Sequence, residues 1–429
     1  TGSFTATVNG DMRVGSVSET VTVSGEAPIV DVQSVRRQVS VSNATLNEIP
    51  SARAYAPILL LMPGVATAAP ADTQVTPALL VFSAPGGRGG EGRVQVDGLS
   101  TGAALAGAGA SSYVADVSNA QEVTFTNQGG LGESETGGGT INVVPRTGGN
   151  RFGGSFDSSF VRSGMVSSNY TPELKAQGLA APVGLDQVWD VNFGPGGPIR
   201  KDKLWFFANA RTTGAYYVVP IYPNLNEFDP AKWTYQPDTA HKVLTATSNG
   251  NYRNASLRLT LQATPRNKIG LFWDEQKPCA GASYSLDVNA CKYQPDNGDR
   301  IGYNTSTASP ETVGIWDQPT RAQQATWSSP VTNNLLLEAG FGTWLGRFGN
   351  PVGLSGQPGT KNTHALIRMQ ELCISPCPVN ANIAGLTYRS ATFGSSWAGT
   401  YTWRFSASRV TGAHNMKFGY NGQNLVWDT

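Results

Sequence analysis

Histidines, cysteines and neighbouring carboxylates are the residues of this chain best suited to chemistry. His241, His364 and His414 are scattered, so no Ser/His/Asp or Cys/His arrangement stands out. Asp274 and Glu275 are adjacent, but successive residues of the strand predicted there point to opposite faces, so the two carboxylates cannot act as a pair. The sequence therefore predicts a protein that is not an enzyme and that has no cofactor and no metal site.

The four cysteines fall into two local groups. Cys279 and Cys291 lie in one polar stretch, and Cys373 and Cys377 lie in another. Pairing within each stretch is the simplest of three possible connectivities, and it indicates an oxidising compartment. Free thiols remain an alternative. A zinc site would need histidines at a recurring ligand spacing, which the three histidines do not have.

Composition excludes several classes of protein. The chain has 429 residues, of which 39% are hydrophobic, only 14% are charged and 50 are glycine. About a quarter of residues are charged in a typical soluble domain. A formal charge of +1 gives no electrostatic footprint for nucleic acid. The longest apolar stretch, residues 58–62, is far shorter than the roughly 18–20 residues of a membrane-spanning helix. Residues 1–4 contain no basic or apolar signal region, so we expect any secretory signal to have been removed or to lie outside this sequence.

The first third of the chain mixes short helical and strand signals with glycine-rich connections. Thr45 and Glu48 have the spacing of a capping box, which predicts a short helix there. A second helix is predicted from Ser51 to the Pro63-Gly64 pair. Residues 40–148 are therefore predicted to form a small α+β unit.

From about residue 151 onward, apolar and polar residues alternate with a period of two. In residues 256–263 one face carries Leu, Leu, Leu and Ala, and the other carries Ser, Arg, Thr and Gln. About nine such strands are predicted in all. The clear ones include residues 189–193, 204–208, 256–263, 269–273, 335–341, 401–407 and 416–420, and the weaker ones are 152–161 and 321–328.

The predicted connections alternate between short and long. Short turns are predicted at 194–201, 264–267, 330–333 and 411–414, and long polar loops at 163–186, 214–253, 276–318 and 346–397. This asymmetry is typical of an outer-membrane barrel, in which turns are short on the periplasmic side. The leucine faces would then contact lipid, and the lumen would carry Arg258, Lys268, Asp274, Glu338, Arg404 and Lys417. A soluble β-sandwich also alternates in this way and remains an alternative.

A series of motifs identifies a family. Glu-Thr-Val-Thr-Val-Ser-Gly at 19–25 resembles a TonB box, the segment held by an energy-coupling protein. It is followed by Ile-Pro-Ser-Ala-Arg-Ala-Tyr at 49–55, Met-Pro-Gly-Val at 62–65, Gly-Gly-Arg-Gly at 86–89, Val-Gln-Val-Asp-Gly at 94–98 and Gly-Gly-Gly-Thr-Ile-Asn-Val-Val-Pro-Arg-Thr-Gly at 137–148. Their order resembles the plug domain of TonB-dependent outer-membrane receptors, in the large type with an N-terminal carboxypeptidase-regulatory-like domain.

The resemblance implies a fold and domain limits. The fold is mainly β, with a small α+β plug followed by the first strands of a transmembrane antiparallel barrel of about 22 strands. Residues 1–18 would end a preceding β domain, 19–39 would hold the TonB box and a linker, 40–148 the plug, and 149–429 about nine barrel strands.

Candidate site residues fall into three groups. The TonB-box coupling residues are Glu19, Thr20, Val21, Thr22, Val23 and Ser24. The plug motif consists of Arg88, Arg93, Asp97 and Gly98, whose charges either pair with the lumen or are solvated. The loop aromatics Tyr216, Tyr217, Trp233, Tyr235 and Trp316 are substrate-binding candidates, or belong to the interfacial aromatic belt.

The resemblance also implies a function and partners. The chain would belong to a receptor in the bacterial outer membrane that imports a scarce nutrient, such as a carbohydrate, a peptide or a metal chelate, through a plug-gated lumen. Its partners would be the TonB energy-coupling protein with ExbB and ExbD, outer-membrane lipid, a small nutrient ligand and a surface lipoprotein, but no nucleic acid. The alternative is a non-transporting surface adhesin or assembly protein.

Overall fold

The computed structural model is mainly β and contains two large sheets. Both lie in the unit from Arg36 to Thr429. The structure describes residues 37–49, 58–59, 61–62, 64–67, 80–84, 87–88, 90–102, 110–111, 113, 115–128, 136, 138–168, 170–176, 184–219, 224–226, 229–237, 246–280, 301–302, 309, 312, 316–317, 319–350, 367–371, 385–389, 394–412 and 414–428.

The first sheet has five strands and forms the body of the plug. In spatial order its strands are β1 (Arg37–Ser42), β7 (Ala120–Gln128), β8 (Thr140–Pro145), β4 (Arg93–Val96) and β5 (Leu99–Ser100). A small second sheet joins β2 (Ala66–Thr67), β3 (Leu80–Ser83) and β6 (Ala110–Ser111). Apolar side chains on alternate positions, such as Val94, Val96, Phe125 and Ile141, are buried and form the plug core.

One short helix packs on the plug sheet. Helix α1 (Asn43–Glu48) directly follows β1, and its buried residue is Leu46. The helix was expected near Thr45, but its N-cap is Ser42, whose hydroxyl accepts a hydrogen bond from the Thr45 amide. The predicted cap was therefore wrong by one turn. Of the second predicted helix, only residues 58 and 59 are described as helical.

The larger of the two main sheets, which follows the plug in sequence, is a long antiparallel meander. Among the described residues it contains nine long strands, each paired with the next: β9 (Gly153–Arg162), β10 (Gly184–Arg200), β11 (Leu204–Val219), β12 (Ala246–Thr264), β13 (Asn267–Ala280), β16 (Thr320–Thr332), β17 (Leu335–Asn350), β20 (Gly394–Thr411) and β21 (His414–Asp428).

Short elements lie in the long connections of this sheet. They are a 3-10 turn (Ser163–Met165), helix α2 (Pro172–Ala176), and strands β14 (Ile301–Gly302), β15 (Trp316–Asp317), β18 (Met369–Gln370) and β19 (Thr387–Tyr388). β14 pairs with β12, β15 pairs with β13, and β18 pairs with β19.

The two faces of the meander differ as the alternation predicts. Leu257, Leu271 and Phe418 on the outer face are 43%, 49% and 69% exposed, whereas Asp274 and Gln276 on the inner face are buried. A β-sandwich would cover the leucines with a second sheet, so their exposure contradicts that alternative. The predicted fold class, a plug followed by the first strands of an antiparallel barrel, is confirmed.

The predicted turn at 194–201 was wrong. Strand β10 continues through its two prolines to Arg200, and the turn that follows is residues 201–203. The glycines there serve close packing, since a Cβ at Gly196 would lie 2.7 Å from the ring of Phe207. The long loops are also shorter than predicted, because β11 reaches Val219 and β12 begins at Ala246.

Among the described residues, no helix is long and apolar enough to span a membrane.

Candidate functional site

The plug meets the inner face of the meander at the turn between β4 and β5. Asp97 and Gly98 both have positive φ, 50° and 72°, which turns the chain sharply. Asp97 forms a salt bridge with Arg258 of β12, and each side chain is 11% exposed. The positive φ of Gly98 favours glycine there, and a Cβ would also displace the guanidinium of Arg404, which lies against this residue. The turn thus places one plug charge against one wall charge.

Backbone carbonyls on either side of this turn are also bound by the wall. Gln324 donates from Nε2 to the carbonyl oxygen of Val96 at 3.0 Å, and Thr400 donates from Oγ1 to that of Gly102 at 2.6 Å. Both donors are buried. Because the acceptors are main-chain atoms, these bonds fix the position of the plug segment whatever its side chains are.

A second plug segment carries a carboxylate that binds several wall residues. Asp116 accepts hydrogen bonds from Asn192 (3.1 Å) and Asn209 (2.7 Å), which lie on β10 and β11. It also lies 3.6 Å from Arg211. Arg211 is 4% exposed and donates two hydrogen bonds to Asp190, so it is shared between a plug carboxylate and a wall carboxylate. A buried charge is stable only when paired in this way.

Asn119 ties the same segment to the first barrel strands. Its Nδ2 donates to Oδ1 of Asn192 at 2.9 Å, and its Oδ1 accepts from the hydroxyl of Ser155 on β9 at 2.8 Å. A Cβ at Gly194 would contact this amide, so the wall glycine leaves room for it. Strands β9, β10 and β11 therefore share one polar network with the plug.

The third contact is a buried phenol. Tyr113 donates from its hydroxyl to Oδ2 of Asp274 at 2.6 Å, and both residues are 2% exposed. Burial, followed by the charge of Asp274, raises the pKa of Tyr113 well above its ordinary value. Tyr113 is therefore a neutral hydrogen-bond donor over the physiological range. Gln276 and Asn254 donate to the same carboxylate at 2.8 and 3.3 Å.

A small cavity lies among these contacts. Its volume is about 30 Å³, and its lining includes Asp116, Asp274, Arg258 and Asn209. Apolar residues such as Val96, Phe207 and Phe272 share the lining, so the cavity is of mixed polarity. A cavity of this size has room for about one or two water molecules beside the polar groups. Among the described residues, no group of three acidic, His or Cys side chains is placed to hold a metal ion.

A separate aromatic cluster forms where the long loops meet. Arg389 lies with its Cζ 3.7 Å from the centre of the Trp233 ring, and it donates to the carbonyl of Pro230 at 2.9 Å. The hydroxyl of Tyr388 lies 3.0 Å from the carbonyl oxygen of Trp233 and 2.9 Å from Oε1 of Glu371. Its ring centre is 6.0 Å from that of Tyr235. Two loops distant in sequence are thus held together.

The loop aromatics predicted to bind substrate separate into two groups. Trp233 and Tyr235 lie in the loop cluster, and Trp233 is 48% exposed. Tyr216 and Tyr217 do not lie in a loop but on β11. Tyr216 packs edge-on against Trp189 at 5.1 Å, so the loop assignment of both tyrosines was wrong. Aromatic residues favour strands, and the polar loop begins only after them.

The plug-motif residues have different environments. Asp97 pairs with the lumenal wall, whereas Arg93 is buried inside the plug and donates to the carbonyls of Gly90 and Gly92. Arg88 is exposed, and its backbone amide donates to Glu91 at 3.0 Å. Their functional roles stay predictions.

Other predicted site residues lie partly or wholly outside the described part of the chain. The TonB box, residues 19–24, is one of these, and Trp316 is described only as the start of β15. Cys279 is disulfide-bonded. Cys291, Cys373 and Cys377 lie outside the described residues, so the pairing stays a prediction.

Sequence reasoning missed most of the plug–wall contacts. Asn192, Asn209 and Arg211 occupy the polar positions of alternating strands, so the alternation gave a signal that they face the lumen. No sequence signal indicated that Tyr113 and Asp116 contact the wall, because they lie in an irregular stretch with no periodic pattern.

Comparisons with known proteins agree with this geometry. No protein-family model matches the sequence. The TonB-dependent transporter Oar of Myxococcus xanthus is 30% identical over 225 residues, which cover 48% of this chain and 19% of that protein.

Solved structures resemble almost the whole chain. The outer-membrane transporter YddB of Escherichia coli matches with a TM-score of 0.57 and 12% identity over 91% of this chain and 48% of its own. The ferric yersiniabactin uptake receptor FyuA of Yersinia pestis matches with a TM-score of 0.52 and 14% identity. The match covers 92% of this chain and 49% of FyuA. The chain spans about half the length of these structures and about a fifth of Oar.

The class defined by fold and site is a plugged outer-membrane β-barrel, of which this chain contains the plug and part of the wall. The chain is similar to a TonB-dependent transporter and to an outer-membrane transporter, as its motifs predict. The matched proteins are transporters and receptors, in agreement with the prediction that the chain is not an enzyme.

Proposed function

We propose that this chain is the gate and part of the wall of a receptor that imports a scarce nutrient across the outer membrane under the control of the TonB protein. Oar and YddB are named transporters, which supports the transport class. The substrate would be a carbohydrate, a peptide or a metal chelate. ExbB and ExbD would act with TonB, outer-membrane lipid would surround the barrel, and a surface lipoprotein would assist capture.

The observation that carries this proposal is the polar attachment of the plug. Plug and wall are joined by one ion pair, a shared arginine and several hydrogen bonds. Each such bond contributes only about 0.5–1.5 kcal/mol net, because water can replace it. Apolar contacts also join the two parts, because Phe272, Trp344 and Ala398 of the wall pack in one cluster with the plug core. The polar part of the seam orients the plug at rest and can be opened by force and hydrated bond by bond.

The proposed sequence of events begins at the loops. The cluster around Trp233 and Tyr388 lies at the loop end of the strands, on the opposite side from the short turns. Ligand held there would favour engagement of residues 19–24 by TonB, and tension on that segment would move the plug away from the wall. Binding at the two ends is coupled if TonB binds the loaded form more tightly.

Tethering the plug tests this function. In the natural full-length protein, Asp97→Cys and Arg258→Cys, joined by a short bismaleimide, would fix the plug to the wall. The control is Glu338→Cys with Ser406→Cys, cross-strand partners on β17 and β20, which places the same cross-link within the wall. Uptake is measured in cells with a labelled oligosaccharide, a labelled peptide and a ferric chelate as probes.

We expect the natural protein to take up at least one probe. The plug–wall tether should abolish this uptake, and the wall–wall tether should leave it unchanged. Undiminished uptake after tethering contradicts the gate. A receptor that takes up none of the probes but attaches cells to a carbohydrate-coated surface would instead support the adhesin class. Replacing Val21 or Val23 with proline should also abolish uptake without lowering surface abundance, because proline cannot donate a backbone hydrogen bond.

A further inference from the structure

Two carboxylates, one from the plug and one from the wall, border the cavity in the seam. Asp116 of the plug and Asp274 of β13 both line its volume of about 30 Å³. Burial is the largest cause of the raised pKa of Tyr113, and the charges of Asp274 and Asp116 add to it, so both carboxylates lie near one phenol hydroxyl. The side chain of Asp116 is 8% exposed and Asp274 is 2% exposed, so water screens neither charge well.

The two carboxylates have less positive charge beside them than they need. Arg211 forms ion pairs with both Asp116 and Asp190, at 3.6 and 2.8 Å, so one cation serves two anions. Asp274 takes part in no ion pair within the described part of the chain. Its hydrogen-bond donors there are a phenol and two amides, all of them neutral: Tyr113, Gln276 and Asn254.

Other guanidinium groups of this region do not compensate these charges. Arg258 also lines the cavity, but it is paired with Asp97. Arg146 and Arg404 form no ion pair with either carboxylate of the cavity among the described residues. A buried charge is costly unless an opposite charge lies beside it. By pairing, the seam therefore has about two negative charges to be balanced.

Neutral oxygen atoms from the wall lie at the same cavity. Asn254 lines it and is 7% exposed, and its Oδ1 accepts no hydrogen bond from the part of the chain that the structure describes. Buried amide oxygens almost always have a partner, so this atom indicates a ligand. Ser256, two residues further along the same face of β12, adds a hydroxyl to the lining.

This set of oxygen atoms suits a calcium ion. Ca²⁺ binds about six to eight oxygen atoms of carboxylates, amides and water in a flexible geometry, whereas Mg²⁺ keeps several of its own water molecules. The cavity has room for an ion and about one water molecule, which is too little for hydrated Mg²⁺. A divalent ion also balances two negative charges. The set contains two acidic side chains, so it differs from a group of three acidic, His or Cys side chains, of which the described residues contain none.

We propose that the seam binds one calcium ion between Asp116 of the plug and Asp274 of the wall, with Asn254 and Ser256 as neutral ligands. The ion would hold plug residues 115–119 against β12 and β13. Its removal would leave two buried carboxylates repelling one another across the seam, which would loosen the plug there. The inference rests on the contacts between plug and wall and does not depend on uptake.

Hydrogen exchange in the natural full-length protein tests the proposal. Detergent-solubilised protein is compared in about 1 mM free Ca²⁺ and in EGTA, with the same Mg²⁺ concentration in both. Mass spectrometry follows peptides covering residues 113–120, which include the Ser118 amide that donates to Oδ1 of Asp116 at 3.1 Å. The variant is Asp274→Asn. The matched control is Glu338→Gln, which removes a carboxylate that lies beside Ser406 and does not line the cavity.

We expect Ca²⁺ to slow exchange in this segment about tenfold in the natural protein and in Glu338→Gln, as it would at about ten times the dissociation constant. Asp274→Asn should need at least about 100-fold more Ca²⁺ for the same protection, because it removes a charged ligand. Asn254→Asp adds a third carboxylate and should need about tenfold less. This gain provides the test if Asp274→Asn fails to assemble, and a purely structural role of Asn254 would not produce it.

Three results would overturn the proposal. The first is equal exchange in Ca²⁺ and in EGTA. The second is protection by Ca²⁺ that survives unchanged in Asp274→Asn, which would place the ion elsewhere in the protein. The third is protection that follows pH between about 5 and 8 and ignores Ca²⁺, which would assign a proton to Asp274 in place of the ion.

Discussion

At the residue scale, single side chains join parts of the molecule that are far apart in sequence. Asp97 reaches Arg258, and Tyr388 reaches Trp233 and Glu371. In each case a group that is costly to bury is partnered by a group from another segment. The function of these residues therefore depends on docking between segments, and it is lost when the segments part.

The Tyr388 hydroxyl makes loop docking sensitive to alkaline pH. Burial, the hydrogen bond to Glu371 and the charge of Glu371 raise the pKa of Tyr388 to about 12. An undocked tyrosine titrates near pH 10. Because the docked form holds its proton more tightly, the stabilisation is fully present below about pH 10 and is lost as the pH rises through about 12.

We expect docking of the two loops to weaken between about pH 10 and 12 and to be flat below that range. The measurement is iodide quenching of Trp233 fluorescence in the full-length protein, obtained by subtracting the signal of a Trp233→Phe variant. Tyr388→Phe should dock more weakly at pH 8 but show no alkaline step, because its ring has no proton to lose. An identical alkaline step in Tyr388→Phe would contradict the assignment.

At the element scale, each wall strand separates lipid from lumen with a period of two residues. On β20, Phe405 is 49% exposed on the outer face, and the next residue, Ser406, faces the lumen beside Glu338 at 3.3 Å. Phe405 is six residues from Thr411, the end of the strand, and therefore about 16 Å above the turns. Two adjacent positions at one depth thus have opposite surroundings.

Phe405→Arg should lower barrel stability by about 2–4 kcal/mol, because it places a charge on the lipid face near the midplane. Ser406→Arg is the matched control and should change stability by less than about 1 kcal/mol, since its charge faces a hydrated lumen next to a carboxylate. The measurement is urea unfolding of the full-length protein in lipid vesicles. Equal losses for the two variants would show that the outer face does not contact lipid.

The same alternation explains how much of the fold was predictable. The strands and their faces could be predicted because the bilayer imposes one polarity on each face over its own thickness. The strand ends could not be predicted from the alternation. Beyond the bilayer both faces of a strand become polar, as at Arg253 and Lys277, so the sequence there resembles that of a loop. Asp97 and Gly98 were identified as a motif, but the wall partner Arg258 is 161 residues away and is specified only by the register of the sheet.

At the scale of the whole molecule, the wall and the plug form separate sheets. Among the described residues, the wall strands pair only with one another along the meander, and none of them pairs with a plug strand. The apolar cluster around Val94, Phe125 and Ile141 lies mainly in the plug, and a few wall residues, Phe272, Ala322, Trp344 and Ala398, pack in it. Because the lumenal face of the wall is rich in polar groups such as Asn192 and Arg211, it can be hydrated when the plug is absent.

Deleting residues 40–148 from the full-length protein should therefore leave a barrel that still assembles but conducts ions. The expected result in a planar bilayer is a large steady conductance, where the intact protein shows almost none, since the plug closes the lumen. Tyr113→Phe is the control: it removes one plug–wall hydrogen bond, worth about 1 kcal/mol, and should stay closed because the contacts of Asp97 and Asp116 remain. A deletion variant that fails to assemble would mean that the wall depends on the plug for its fold, and one that assembles without conducting would mean that another segment closes the lumen.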